Sequence, residues 1–158
     1  MANTFKVVNF AAEPNSAGTP FTMYTVASST TTVVLGLILA NIHTTAVTAE
    51  VELVSTTSNR AGNNNASNGT SFLVKDVNIP AGTSLELLSG GKVVLEAGDV
   101  IRVDCSVADK LSGTLSIMEI TLDGLYWSIT SRNIYFICNS RIFNECHNLL
   151  HFRSSSYK

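Results

Sequence analysis

Between residues 4 and 121, apolar and polar side chains alternate in short runs separated by loops rich in Gly, Asn, Ser and Thr. Val47, Ala49, Val51 and Leu53 share one phase, while Thr48, Glu50 and Glu52 take the other. Ile101, Val103 and Cys105 repeat the pattern against Arg102, Asp104 and Ser106. A period of two marks strands with one dry face. The pattern predicts a first strand over residues 4–10, a second over 21–27 and an amphipathic one over 46–54. Residues 30–43 are apolar on both phases, which predicts a central strand covered on both sides. A helix is the rival there, but Thr30, Thr31, Thr32, Val33 and Val34 are β-branched and disfavour it.

The same reading continues through the second half. Residues 71–79 form a strand whose phase slips between Val74 and Val77, the mark of a bulge. Pro80, Ala81 and Gly82 turn the chain into residues 84–88, where Leu85 and Leu87 point inward around Glu86. Ser89, Gly90 and Gly91 read as a hairpin loop, with a return strand over 92–96. Ala97, Gly98 and Asp99 make another tight turn, and residues 100–106 and 114–121 are the last strands. Eight or nine strands at this spacing predict an all-β protein, an antiparallel β-sandwich of jelly-roll type. Its core is expected to be complete within residues 1–121, since each large inward aliphatic contributes roughly 1.5–3 kcal/mol on full burial.

Two stretches stand apart from the strands. Residues 13–20 contain Pro14, Gly18 and Pro20 and read as a turn or extended arm. Residues 55–70 contain a single charge, Arg60, and no large apolar side chain. Such a segment buries too little to offset its ordering entropy, so it reads as a long exposed loop. Loops of that length are often functional. Glu13 and Asn15 in the arm, and Arg60, Asn63, Asn64, Asn65 and Asn68 in the loop, are therefore the candidate interaction residues.

From Leu122 the composition changes. Tyr126, Trp127, Tyr135, Phe136, Phe143, Phe152 and Tyr157 fall there, as do Cys138 and Cys146. Neither alternation nor a helical stripe lasts long. Three readings compete for residues 122–158: a partner-binding extension, an element packed on the sandwich, or sequence not selected for this fold, such as a shifted reading frame. Local consistency of evolved sequences favours the third. The division expected is a β-sandwich domain over 1–121 and a C-terminal extension of uncertain structure over 122–158, poorly ordered or not native to the fold.

Composition narrows the function classes. Of the 158 residues, 45% are apolar and only 14% charged, against roughly 25% charged in ordinary soluble domains. A net charge of −2 with no Lys/Arg patch argues against nucleic acid or an anionic membrane as partner. The longest apolar run, residues 33–42, falls well short of the ~20 residues of a spanning helix. No signal-peptide pattern opens the chain. Three cysteines imply no disulfide framework, and Cys105, on the dry phase of its strand, reads as a core residue.

Candidate chemistry is sparse, and no enzymatic activity or cofactor is expected. Cys138, Cys146, His147 and His151 have irregular spacing for zinc. His43 follows a buried strand, without a nucleophile motif near it. Asp99, Asp104 and Asp109 lack the ligand density of a calcium loop. Asn65 and Asn68 begin glycosylation-type triplets, which without a secretory signal are more simply polar loop residues.

Residues 24–41 (YTVASSTTTVVLGLILAN) and 79–103 (IPAGTSLELLSGGKVVLEAGDVIRV), closing with Met118, Glu119, Ile120 and Thr121, resemble small β-sandwich structural proteins of tailed bacteriophages. The resemblance spans residues 1–121 and stops there. It implies a non-enzymatic virion component, either a capsid decoration (cement) protein or a neck or tail accessory protein. It also implies a product made in the host cytoplasm that assembles with copies of itself, as trimers or larger rings, and docks on capsid or tail proteins. The alternative is a carbohydrate-binding or host-recognition module, for which the Asn-rich loop speaks and the scarcity of aromatics there does not.

Overall fold

The computed structural model describes residues 2–55, 69–121, 126–130 and 133–137. Nine strands lie within the first unit, Met1–Leu122. They are β1 (Ala2–Glu13), β2 (Phe21–Thr25), β3 (Thr30–Asn41), β4 (Val47–Val54), β5 (Thr70–Ile79), β6 (Ser84–Leu87), β7 (Val93–Leu95), β8 (Val100–Cys105) and β9 (Leu111–Thr121). The second unit, Asp123–Lys158, contains a hairpin of β10 (Tyr126–Thr130) and β11 (Asn133–Ile137), with Tyr126 opposite Ile137. No helix long and apolar enough to cross a membrane occurs among the described residues.

Two antiparallel sheets face each other. The first has the order β1-β9-β3-β6, with β7 also paired to β3, and the second the order β2-β8-β4-β5. β6 and β7 run along the same edge of β3: Leu87 lies opposite Leu37, and Val93 opposite Val34. Counting these two as one interrupted strand leaves eight, divided between two four-stranded sheets with the strand order of a jelly roll. The fold is the all-β sandwich that alternation predicts.

The core lies between the sheets. Val34, Leu37, Leu39, Leu111, Leu115 and Ile117 come from the first, and Val47, Ala49, Val51, Ile79, Ile101 and Val103 from the second. Cys105 belongs to the same cluster, and burial pushes its thiol pKa up. The β5 bulge falls where the phase slips: Ala49 pairs with Val77 but Val51 with Val74, and Asp76 takes φ 51°.

Several expectations differ from the structure: β1 runs on to Glu13, and β9 begins at the fully buried Leu111 rather than at residue 114. β3 is central, flanked by β9 and β6/β7, but only one of its faces is buried, and Ile38 remains 45% exposed. Its second apolar phase points outward from the sandwich. Ser89, Gly90 and Gly91 do not close a hairpin either. Leu88 and Gly90, at φ 67° and 79°, let the chain loop out and rejoin the same edge of β3.

Candidate functional site

The two outer sheet faces differ in kind. On the second sheet the outward phase carries charge. Arg102 Nη2 lies 3.1 Å from Glu52 Oε2, and Lys75 Nζ lies 3.2 Å from Glu50 Oε1. Glu50 stands directly opposite Asp104 across β4 and β8. This is a solvated face.

The outer face of the first sheet is built from uncharged residues. Its outward positions are Asn3, Phe5, Val7 and Asn9 on β1, and Ser112, Thr114, Ser116, Met118 and Ile120 on β9. On β3 they include Thr31, Val33, Ile38 and Ala40. Charge stands at the far edge beyond β3: Glu86 opposite Ile38, Lys92 with its Nζ 3.2 Å from Leu35 O, and Glu96, whose Oε2 accepts from Thr31 Oγ1 at 3.3 Å. The register also aligns one apolar row. Phe5 pairs with Met118, Met118 with Val33, and Val33 with Val94. Phe5 and Val94, at the ends of that row, are 71% and 59% exposed, and Val7 is 63% exposed. Cross-strand neighbours sit roughly 5 Å apart, so the row is a continuous apolar stripe across four strands.

One charge pair lies on the inner side of this sheet and fixes β1. Lys6 Nζ reaches Glu119 Oε2 at 2.5 Å, and Tyr24 Oη donates to Glu119 Oε1 at 2.9 Å. A phenol has one proton, so at its 2.8 Å contact with Thr32 Oγ1 the Tyr24 oxygen accepts. The Lys6 hydrogen bond lowers the Glu119 pKa, while burial raises that of Tyr24. Lys6 is thereby committed within its own sandwich.

The sequence-derived candidates fall in different places. Glu13 ends β1 opposite Leu111, and its Oε2 is buried without a hydrogen-bond partner. Asn15 is exposed in the arm. That arm is tied down: Gly18 N donates to Asp104 Oδ1 at 3.2 Å, and Asp109 N to Pro14 O at 2.9 Å. Arg60, Asn63, Asn64, Asn65 and Asn68 lie outside the described residues, as do Cys138, Cys146, His147 and His151. The described base of the long loop, Ser55 N bonded to Gly69 O, adjoins Val54, which pairs with Val100. The arm instead contacts Asp104 and Asp109, at the other end of β8. The arm and the loop base thus sit at opposite ends of the sheet.

The remaining titratable candidates have structural roles. His43 N donates to Asn41 Oδ1, and its Nδ1 lies 2.7 Å from Thr45 Oγ1. Asp99 Oδ2 accepts from Glu96 N within the tight turn. A shallow depression of about 200 Å³ is lined by Gly18, Thr48, Glu50, Asp76, Asp104 and Ser106, with Cys105 beneath. It offers carboxylates but no aromatic platform. No group of His, Cys, Asp or Glu able to hold a metal occurs among the described residues.

The apolar stripe is the site that strand-by-strand reading missed. Its signal was present as apolar residues on the wet phase, at Phe5, Val7, Val33 and Val94. Only the register brings them together.

No protein-family model matches the chain, and no curated protein matches it. A solved structure described as "Bacillus endospore appendages form a novel family of disulfide-linked pili" is similar over 77% of this chain and 88% of that one. The identity is 14% and the TM-score 0.39, too low to bear on topology or role.

Proposed function

We propose that this chain is a non-enzymatic structural protein of a phage particle, assembling with copies of itself and docking on capsid, neck or tail proteins. The observation that carries the reading is the uncharged outward phase of β1, β9 and β3, with the stripe of Phe5, Met118, Val33 and Val94 running across it. Depletion of charge with retention of apolar and small polar groups characterises the centre of protein interfaces. A contiguous exposed apolar patch points the same way. Its outward positions on β1, β9 and β3 are apolar or small and polar, which suits stable contact with another protein surface.

The test is mass spectrometry of particles purified from cells infected by the phage that carries this gene. The chain is expected among the particle proteins, and Val33→Lys with Val94→Lys is expected to remove it from them without unfolding it. Absence of the wild-type chain from purified particles overturns the reading.

A further inference from the structure

The two sheets have four edges, and three of them are guarded against pairing. β2 is five residues long, with a register shift between Thr22 and Tyr24. β6 and β7 are four and three residues long and interrupted. β5 has two register shifts and a positive φ at Asp76, and Lys75 lies 4.1 Å over the exposed Phe72 ring. Bulges, short strands and lysines are the usual devices that keep edges from joining other strands.

β1 is neither short nor shifted over its first nine residues, and it carries one lysine there. From Ala2 to Phe10 it pairs with β9 without a shift. Its single charge in that stretch, Lys6, is turned inward to Glu119. Its outward side chains include Phe5 and Val7, and its other edge pairs with no strand among the described residues.

We propose that the β1 edge binds the β1 edge of a second copy, antiparallel about a two-fold axis, joining the two first sheets into one. The occupant follows from the comparison of edges: within a second copy, β1 is the one long, unshifted edge among the described strands. An isologous pair of this kind closes on itself and does not propagate into a fibre. A register centred on Lys6 is disfavoured because two ammonium groups would face each other. Centres at Phe5 or Val7 place Lys6 beside Thr4 or Val8 of the second copy's equivalent strand. Either register pairs about seven residues, and the uncharged outer faces become continuous across the axis.

Size sets the strength. Seven residues at ~3.4 Å, over an intersheet depth of ~10 Å, make a contact of roughly 240 Å² per copy before side chains are counted. A standard stable interface uses about 800 Å² per partner, so the pair is weak and reversible on its own. A particle lattice would reinforce it by multivalency. This inference rests on the assembly reading above and adds the surface through which copies meet.

Sedimentation velocity of the full chain from about 1 to several hundred micromolar, with hydrogen exchange at both ends of that range, tests it. Wild type is expected to shift reversibly from monomer toward dimer, with exchange in β1 slowing as concentration rises. Phe5→Lys with Val7→Lys sets like charges opposite each other in either register, at positions exposed in the monomer. It is expected to shift the dissociation constant at least tenfold with an unchanged melting curve, whereas Ile38→Lys, on the same face but away from the edge, leaves it unchanged. Self-association that survives the double variant overturns the β1 contact while leaving assembly standing. Slow β1 exchange at every concentration means the edge is covered within one chain, and also overturns it. A wild type that stays monomeric throughout removes the self-assembly part of the functional reading as well.

Discussion

Gly113 shows how much one absent methyl group can control. It lies opposite Phe10 in the β1–β9 register, and a Cβ added there would drive into the edge of the Phe10 ring and sit 3.1 Å from Leu39 Cδ2. Phe10 has little room to yield, because its ring packs at 5.3 Å from Phe21. Gly113→Ala is therefore expected to destabilise the sandwich by roughly 1–3 kcal/mol, the usual cost of overpacking, read by urea unfolding. Asn41 is comparable in its economy. One buried amide donates to Thr45 O and Ile79 O at 2.9 Å each, while its oxygen accepts from His43 N, so a single side chain closes the β3–β4 turn. Neither role could be read from sequence. A glycine in a strand and an asparagine at a strand end are compatible with many environments, and Phe10 and Leu39 for the one, and Ile79 for the other, lie far along the chain.

At the scale of elements, the Glu119 cluster ties β2 of the second sheet to the first sheet, to which no hydrogen-bonded ladder joins it. Lys6 of β1, Tyr24 of β2, Thr32 of β3 and Glu119 of β9 meet across the gap between the sheets. The folded-state pKa of Glu119 is lowered, so its contribution is fully present above the unfolded value of about 4.5 and is lost as pH falls through the folded value. Glu119→Gln is expected to cost roughly 1–2 kcal/mol at pH 7. The gap between the wild-type and variant melting temperatures should narrow progressively below about pH 4.5. A gap constant with pH would show that the cluster acts through packing alone. Several elements were legible in advance because their cause is local. β4 and β8 follow from strict alternation, and the β5 bulge from two valines on the wrong phase. The path from β6 to β7 was not legible, since Ser89, Gly90 and Gly91 permit a hairpin and an outward loop equally well. The edge of β3 decides between them.

For the whole molecule, nine strands among the described residues, with the core they enclose, lie within Met1–Leu122. A chain ended at Leu122 is expected to unfold in one cooperative transition, with coincident circular dichroism and fluorescence curves. Loss of cooperativity would mean that residues beyond 122 complete the domain. The functional surfaces belong to this scale too. The charged face of the second sheet and the stripe on the first each combine residues from strands distant in sequence. Reading for candidate sites favoured the arm and the long loop, because polar irregular segments announce themselves. A flat sheet face does not.

Alternation by itself determined that this chain forms strands, where most of them run, and which phase of the amphipathic ones is dry, because side-chain direction in a strand has a fixed local period. It could not determine whether an apolar second phase is buried or left in solvent. Val33 and Val94 look the same either way. That choice depends on how many layers the fold stacks, and the sandwich supplies only one cover for each sheet. The stripe arises from that shortage of cover, which only the tertiary structure decides.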